Sequence, residues 1–448
     1  MLVKDGPSGA VHTDTRSLRR GDWFLALSGD RFDGHDFLEV ASEQGCAGAV
    51  AKHVPDGWDK GFIRVEDGLE ALQALAKNFR NQFEGPVVCI TGSCGKTTAK
   101  EMTALVLQAG LGRVHQTKGN LNNHIGLPLS ILCTPANADA MVLELGMSAA
   151  GEISVLAGIA QPTVRVVTNV APAHIASFAD GLDGVAKAKA EILEGTKDDD
   201  VVVLNADDER VARMAEAAGR AQIRTFGWRE DADIRILEVV PAGEYGLHTH
   251  IKLLETCSGK VGDIKIRCPG KHLGSNAALA VAVGTALSVT FEQCCFTLQE
   301  YQSLGMRMKA EPVKNGACLL LDDSYNANPL STANALEVLA NISYPGRRIA
   351  VLGDMMELGD TADEEHNKIL CTCLKGPYKV LAVVGPKYQA AAKIVFKQPH
   401  GKILILADTA ENVASQLVQM AQDGDVFLVK GSRSMKMELV AAELRSMV

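Results

Sequence analysis

The chain has 448 residues, room for about three domains of ordinary size. Hydrophobic residues make up 47% of it and charged residues 22%, which excludes a largely disordered chain. The net charge of −9 argues against nucleic acid as a partner, since such partners call for a basic field.

No charged-then-apolar leader pattern opens the chain. The most apolar run, Ala277 to Val289, is interrupted by Gly284, Thr285 and Ser288 and falls short of the ~20 residues a membrane span needs. It reads as a buried helix, and no membrane insertion is expected. Eleven cysteines without framework spacing read as free thiols in a reducing compartment, a bacterial cytoplasm or an organelle stroma. The chain is expected to be a monomer.

In chain order, Trp23–Leu27 and Phe62–Val65 read as strands, followed by a helix over Leu69–Phe79. Glu84-Gly85-Pro86 breaks the pattern, and Val87–Ile90 begins a new strand. From there to about residue 305, apolar strands are expected to alternate with helices. Ala140–Leu145, Thr163–Val170 and Val201–Leu204 are the buried parallel strands. The last part has a clean rhythm. Strands Arg348–Leu352, Val380–Val384, Ile403–Leu406 and Val426–Val429 each precede a helix: Glu364–Leu374, Tyr388–Phe396, Asn412–Ala421 and one that ends the chain. Such units imply right-handed crossovers and a doubly wound sheet, with ligands beyond the carboxyl ends of the strands. The boundaries expected are 1–83, 84–305 and 306–448.

The first chemical motif follows the strand at Val87. Thr91-Gly92-Ser93-Cys94-Gly95-Lys96-Thr97-Thr98 opens a helix whose apolar positions Met102, Leu105, Val106 and Ala109 have helical spacing. Glycines let backbone N–H groups close on phosphate oxygens, and the helix N-terminus adds positive charge. Lys96 can reach the β and γ phosphates of a nucleotide, and the Thr97 hydroxyl can ligate Mg²⁺. Ile90 stands where the usual spacing has glycine, so the loop is a shortened variant.

Three further residues stand out. Glu144 ends an apolar strand, where it is either an edge carboxylate or a metal ligand. His174 follows a strand through Ala171-Pro172-Ala173, in a strand-end loop where ligand groups collect. Lys189 shares a helical face with Val185, Ala188 and Ile192. Burying an ammonium there costs about 4–7 kcal/mol, so a partner charge, snorkelling or chemical modification must answer it.

Together these residues resemble the Mur ligase family. The resemblance extends through Lys118–Pro128, Leu143–Ser148, Ala186–Lys189, Asn205–Asp208, Asp322–Pro329, Gly353–Gly359 and Lys430–Ser434, and covers nearly the whole chain. It implies an α/β protein of three domains. These are a small N-terminal UDP-sugar-binding domain, a central P-loop-type ATPase with a mostly parallel sheet, and a C-terminal Rossmann-like domain. The implied reaction is ATP-dependent: it joins D-Ala-D-Ala to UDP-MurNAc-tripeptide through an acyl phosphate in peptidoglycan precursor synthesis.

The resemblance also implies residue roles. Gly92, Ser93, Cys94, Gly95, Lys96, Thr97 and Thr98 hold ATP. Thr97 and Glu144 take one Mg²⁺; His174 and a carbamylated Lys189 take a second. Asn276 contacts adenine, and Arg307, Asp323 and Asn326 the ribose or phosphates. Thr15 and Arg16, with Asp33–Phe37, belong to the nucleotide-sugar segment. Asn120, Asn122 and Asn123 form the substrate loop, and Lys430, Ser432 and Arg433 close over the site. Only thirteen residues precede Asp14, so the first domain is expected to lack its usual opening segment. Cys94 replaces a usual Ser or Asn, and Leu273 a common Asn.

Two alternatives remain. One is another branch of the same ligases, adding a single amino acid. The other is a P-loop switch or motor whose Mg²⁺-binding strand is Leu319–Asp323. It lacks an Asn-Lys-x-Asp guanine-reading run and leaves Glu144, His174 and Lys189 unexplained.

Overall fold

The computed structural model describes residues 10–29, 32–303, 305–398 and 401–447, so the first nine residues of the expected N-terminal domain lie outside it. The first unit is a four-stranded parallel sheet, in order Val11–His12, Trp23–Leu25, Gly48–Ala51 and Gly61–Arg64. The first predicted strand stops at Leu25, two residues early, and the second lies one residue earlier than expected. The following helix, Gly68–Asn81, starts one residue before its apolar pattern, where Asp67 caps it by accepting from the Glu70 N–H at 3.0 Å, and runs two residues past it. Near its end Arg80 donates to three carbonyls, those of Phe83, Ala160 and Gln161, at 2.9, 2.7 and 2.8 Å. This buried guanidinium fastens the first unit to the second.

The second unit is built on a nine-stranded sheet. Its parallel part runs Val114–Gln116, Ala140–Glu144, Val87–Thr91, Val164–Val167, Val201–Asn205, Gln222–Gly227 and Ile234–Ala242. Val88 and Ile90 face one core, Val87 and Cys89 the other, which is why this strand reads as a continuous apolar run. The expected strand–helix alternation fails between residues 222 and 266. His248–Glu255 and Lys260–Ile266 continue the sheet antiparallel. The first of these alternates buried and half-buried residues, the pattern of a strand with one wet face.

The apolar run at Ala277 lies in the helix His272–Ala286, buried on nearly every side. Gly284 lets it approach the helix Lys96–Leu111: a Cβ there would lie 2.5 Å from Val106 Cγ1. On that second helix Ala109, expected on the apolar stripe, is exposed, and Leu107 is buried instead.

The third unit has strand order Lys309–Val313, Cys318–Asp323, Val426–Lys430, Arg348–Gly353, Val380–Val384 and Ile403–Ala407, parallel except for the first. Leu319 and Leu321 pack on one side, Cys318 and Leu320 on the other, as a doubly wound sheet requires. The fold is α/β with mostly parallel sheets throughout. All eleven cysteines are free thiols. Among the described residues no helix is long and apolar enough to cross a membrane.

One charged residue sits inside the central sheet. Arg165 is buried, pairs with Asp200 at 2.5 Å, and donates to the carbonyls of Ile192 and Gly195. Asp200→Ala leaves that guanidinium uncompensated and should destabilise the chain by about 3–5 kcal/mol, read as a lowered urea midpoint.

Candidate active site

The nucleotide loop is shaped by the strand end beside it. Gly92 has φ 147°, and a Cβ there would fall 1.8 Å from the Thr168 hydroxyl; Gly95 has φ 80° and faces Asn276 Oδ1. Ser93 exchanges hydrogen bonds with the backbone of Ala171, both at 2.9 Å. The Cys94 N–H donates to Asn169 Oδ1 at 2.9 Å, and the Cys94 carbonyl accepts from Thr168 Oγ1 and Asn169 Nδ2. The loop is thus preorganised by residues 168–171, immediately after the strand Val164–Val167.

Lys96 begins the helix, and its Nζ donates back to the Gly92 carbonyl at 2.8 Å. Thr97 Oγ1 donates to Glu144 Oε2 at 2.8 Å, and Asn122 Nδ2 to Glu144 Oε1 at 2.9 Å. Glu144 is only 4% exposed, yet its described partners are a hydroxyl and an amide rather than a cation. A buried carboxylate beside a hydroxyl at a helix N-terminus is a hard-oxygen donor set, and it fits Mg²⁺. Asn122 ties this carboxylate to the loop of Asn120 and Asn123. The helix of the first unit meets that loop, where Gln73 donates to the His124 carbonyl at 3.1 Å.

Lys189 lies beneath the nucleotide loop, 3% exposed. Burial pushes its pKa well below the ordinary lysine value. The Lys96 ammonium pushes it down further, and Cys94 opposes this. His174 stands in left-handed backbone with φ 57°, and its Nδ1 lies 2.6 Å from the Glu357 carboxylate of the third unit. Burial lowers the His174 pKa, with Glu357 opposing.

The third unit supplies the other wall. Lys430, buried, donates to Asp323 Oδ2 at 2.6 Å and to the Asn326 carbonyl at 3.0 Å. Arg307 stacks 4.1 Å above the Tyr325 ring, and Met308 N–H donates to Asp323 Oδ1. Asn328 spans the seam: its Nδ2 donates to Cys94 Sγ at 3.0 Å while its Oδ1 caps the helix Pro329–Asn341.

These walls enclose one cleft of about 660 Å³. It is lined by the loop from Ser93 to Thr98, by Asn120, Asn122, Asn123, Glu144 and His174, by Asn276 and Arg307, and by Asp323, Asn326 and Lys430. Gly92 and Lys189 lie behind this lining. Thr15 and Arg16 are not brought to it; Arg16 is exposed and pairs with Asp14 at 2.6 Å. Ser432 is buried, accepting from the Met356 N–H at 2.8 Å, and Arg433 is exposed and pairs with Glu438. Of the alternative Mg²⁺ strand, Asp322 is fully buried and bound by Arg445 at 2.5 Å, whereas its end, Asp323, lines the cleft and accepts from Lys430 at 2.6 Å. Sequence reasoning missed Thr168, Asn169 and Glu357. The first two follow a parallel strand beside the loop, a place where they could have been sought.

Replacing Lys189 by Met removes a desolvated amine. The variant should gain about 1–2 kcal/mol in stability while losing activity. The sign follows from proton linkage: the unfolded chain holds a proton on Lys189 that the folded chain sheds. Wild-type stability should therefore rise with pH from the depressed value up to 10.5, the ordinary lysine value, and the variant should lose this slope in thermal melts.

Known proteins resemble this chain along nearly its whole length. The chain matches three family descriptions: "Mur ligase family, catalytic domain" over residues 9–80, "Mur ligase middle domain" over 90–284 and "Mur ligase, glutamate ligase domain" over 306–433. It is 35% identical to the UDP-N-acetylmuramoyl-tripeptide--D-alanyl-D-alanine ligase of Bacillus subtilis, covering 97% of this chain and 92% of that one. The Escherichia coli protein of the same name is 34% identical, with 97% and 93% covered. A crystal structure of MurF from Acinetobacter baumannii superposes with TM-score 0.87 at 32% identity, covering 97% and 93% of the two chains. MurF ligase from Thermotoga maritima in complex with ADP gives 0.85 at 29% identity, with 99% of each covered. With relatives this similar along nearly its whole length, the chain belongs to the Mur ligase family.

Proposed function

We propose that the protein is an ATP-dependent ligase that joins D-alanyl-D-alanine to UDP-N-acetylmuramoyl-tripeptide. The observation that carries this reading is the single cleft in which a nucleotide loop, a buried Thr97–Glu144 pair and the Asp323–Lys430 pair of another unit face one another. Full-length similarity to ligases of that name supports the choice of substrates.

The chemistry is a phosphoryl transfer followed by an acyl transfer. The γ-phosphoryl of ATP passes to the terminal carboxylate of the tripeptide, leaving ADP and an acyl phosphate. The amine of the dipeptide attacks the acyl carbon, loses a proton, and expels inorganic phosphate as the amide forms. Both partners of the first step are anions, so the site must neutralise charge. Lys96, anchored on the Gly92 carbonyl, supplies one cation at the loop. Lys430 supplies another from the opposite wall, held in place by Asp323. Phe226, Leu273, Leu279 and Tyr301 line the same cleft as Asn276 and supply apolar surface for a planar base. Thr97 and Glu144 would hold Mg²⁺, which supplies positive charge at the phosphate oxygens when bound.

Lys189 fits carbamylation for an electrostatic reason. Its depressed pKa favours the neutral amine, the form that adds CO₂ with loss of a proton. The product is an anion, so repulsion from Lys96 turns into attraction. A carbamate on Lys189, together with His174, would serve a second Mg²⁺. Walls contributed by two units also keep water from the acyl phosphate.

The test is to supply ATP and UDP-MurNAc-tripeptide with either D-Ala-D-Ala or single amino acids, and to read products by mass. A new amide to the dipeptide, matched by ADP, is expected. An amide only to a single amino acid, or ADP without any amide, refutes the reading. Lys96→Ala should lower ADP formation about 10²–10³-fold, and wild-type turnover in that variant would remove its assigned role.

A further inference from the structure

The contact between His174 and Glu357 joins two units through two residues whose backbones are both left-handed, with φ 57° and φ 66°. Neither is glycine, so each conformation is held by its surroundings. The loop that carries Glu357 is braced on both sides. Met355 N–H donates to Nε2 of the buried His366 at 3.0 Å, and Met356 N–H to the buried Ser432 hydroxyl at 2.8 Å. His366 is itself fixed, its Nδ1 2.6 Å from the Ala362 carbonyl. Gly359 closes the far end of the loop directly on Ala176, where a Cβ would lie 2.9 Å from that residue's own. The turn after His174 and the loop around Glu357 are therefore fitted to each other.

A carboxylate has no proton to give. With Nδ1 2.6 Å from a carboxylate oxygen, a proton placed on Nδ1 is the one that satisfies both groups, and in the neutral ring the other nitrogen then carries a lone pair. We propose that Glu357 is a positioning residue: reaching across from the third unit, it holds the Nδ1–H form of His174 and leaves Nε2 as the free donor atom in the cleft that His174 lines. The value of that lone pair rests on the proposed function, in which His174 serves the phosphoryl-transfer site. Because Glu357 belongs to another unit, the histidine is set only when the third unit is seated against the second.

Glu357 is more than half exposed, and substitutions at such surface positions change stability little, so its variants should fold. The experiment compares wild type, Glu357→Ala and Glu357→Gln by ¹⁵N-imidazole NMR at mildly alkaline pH, with His174→Gln assigning the resonance. The kcat and KM for ATP are measured alongside. Wild type should show the Nδ1–H tautomer. In Glu357→Ala the signal should move toward Nε2–H, and kcat should fall about tenfold or more with little change in KM. Glu357→Gln keeps a carbonyl acceptor and should retain the wild-type tautomer and most of the turnover. An unchanged tautomer in Glu357→Ala, or a kcat within about twofold of wild type, overturns the proposal. A wild-type protein that forms no amide defeats the functional reading instead, while the tautomer comparison still decides the role of Glu357.

Discussion

Two lysines under one loop govern this molecule. Lys96 and Lys189 act on each other as like charges, and Lys189 is almost completely removed from water. Nothing about folding favours that arrangement, since an apolar side chain at 189 would cost less. A strongly anionic guest, or an added negative group, would complete the charge balance. The rest of the cleft carries buried charge as well. Glu144 is held by the Thr97 hydroxyl and the Asn122 amide, and Lys430 by Asp323 and the Asn326 carbonyl.

The nucleotide cradle comes from the central sheet, and the facing walls from its neighbours. Thr168, Asn169 and Ala171 fix the nucleotide loop through backbone and side-chain hydrogen bonds, so its cradle exists before any ligand arrives. The substrate loop is tied to Glu144 through Asn122 and rests on the first unit through Gln73. The third unit brings cations and aromatic surface on the facing side. Each unit alone holds only a fraction of the chemistry, which keeps a reactive phosphorylated acid from being handled in an open site.

Much of this was legible in the residues. Parallel strands buried on both faces announce themselves as unbroken apolar runs, so Val87, Ala140, Val201 and the strands after Arg348 were placed nearly where they lie. The helical wheel put Lys189 on a buried face, and it is buried. What escaped was of two kinds. The antiparallel extension from residue 234 to 266 carries alternating, half-polar strands that resemble surface segments until their partners are known. Contacts across the seams, such as Cys94 with Asn328 or His174 with Glu357, join residues more than 180 positions apart and leave no trace in local spacing. Capping moved a helix start as well: Asp67 begins the helix after the first sheet one residue before its apolar stripe.

The sulfur of Cys94 has a consequence for how the second and third units are joined. It is the atom through which the nucleotide loop touches the capping residue of the third unit, and a thiol is a poor hydrogen-bonding group. Little binding strength is therefore spent where the nucleotide loop meets the third unit, and the firmer grip between the two lies at His174 and Glu357.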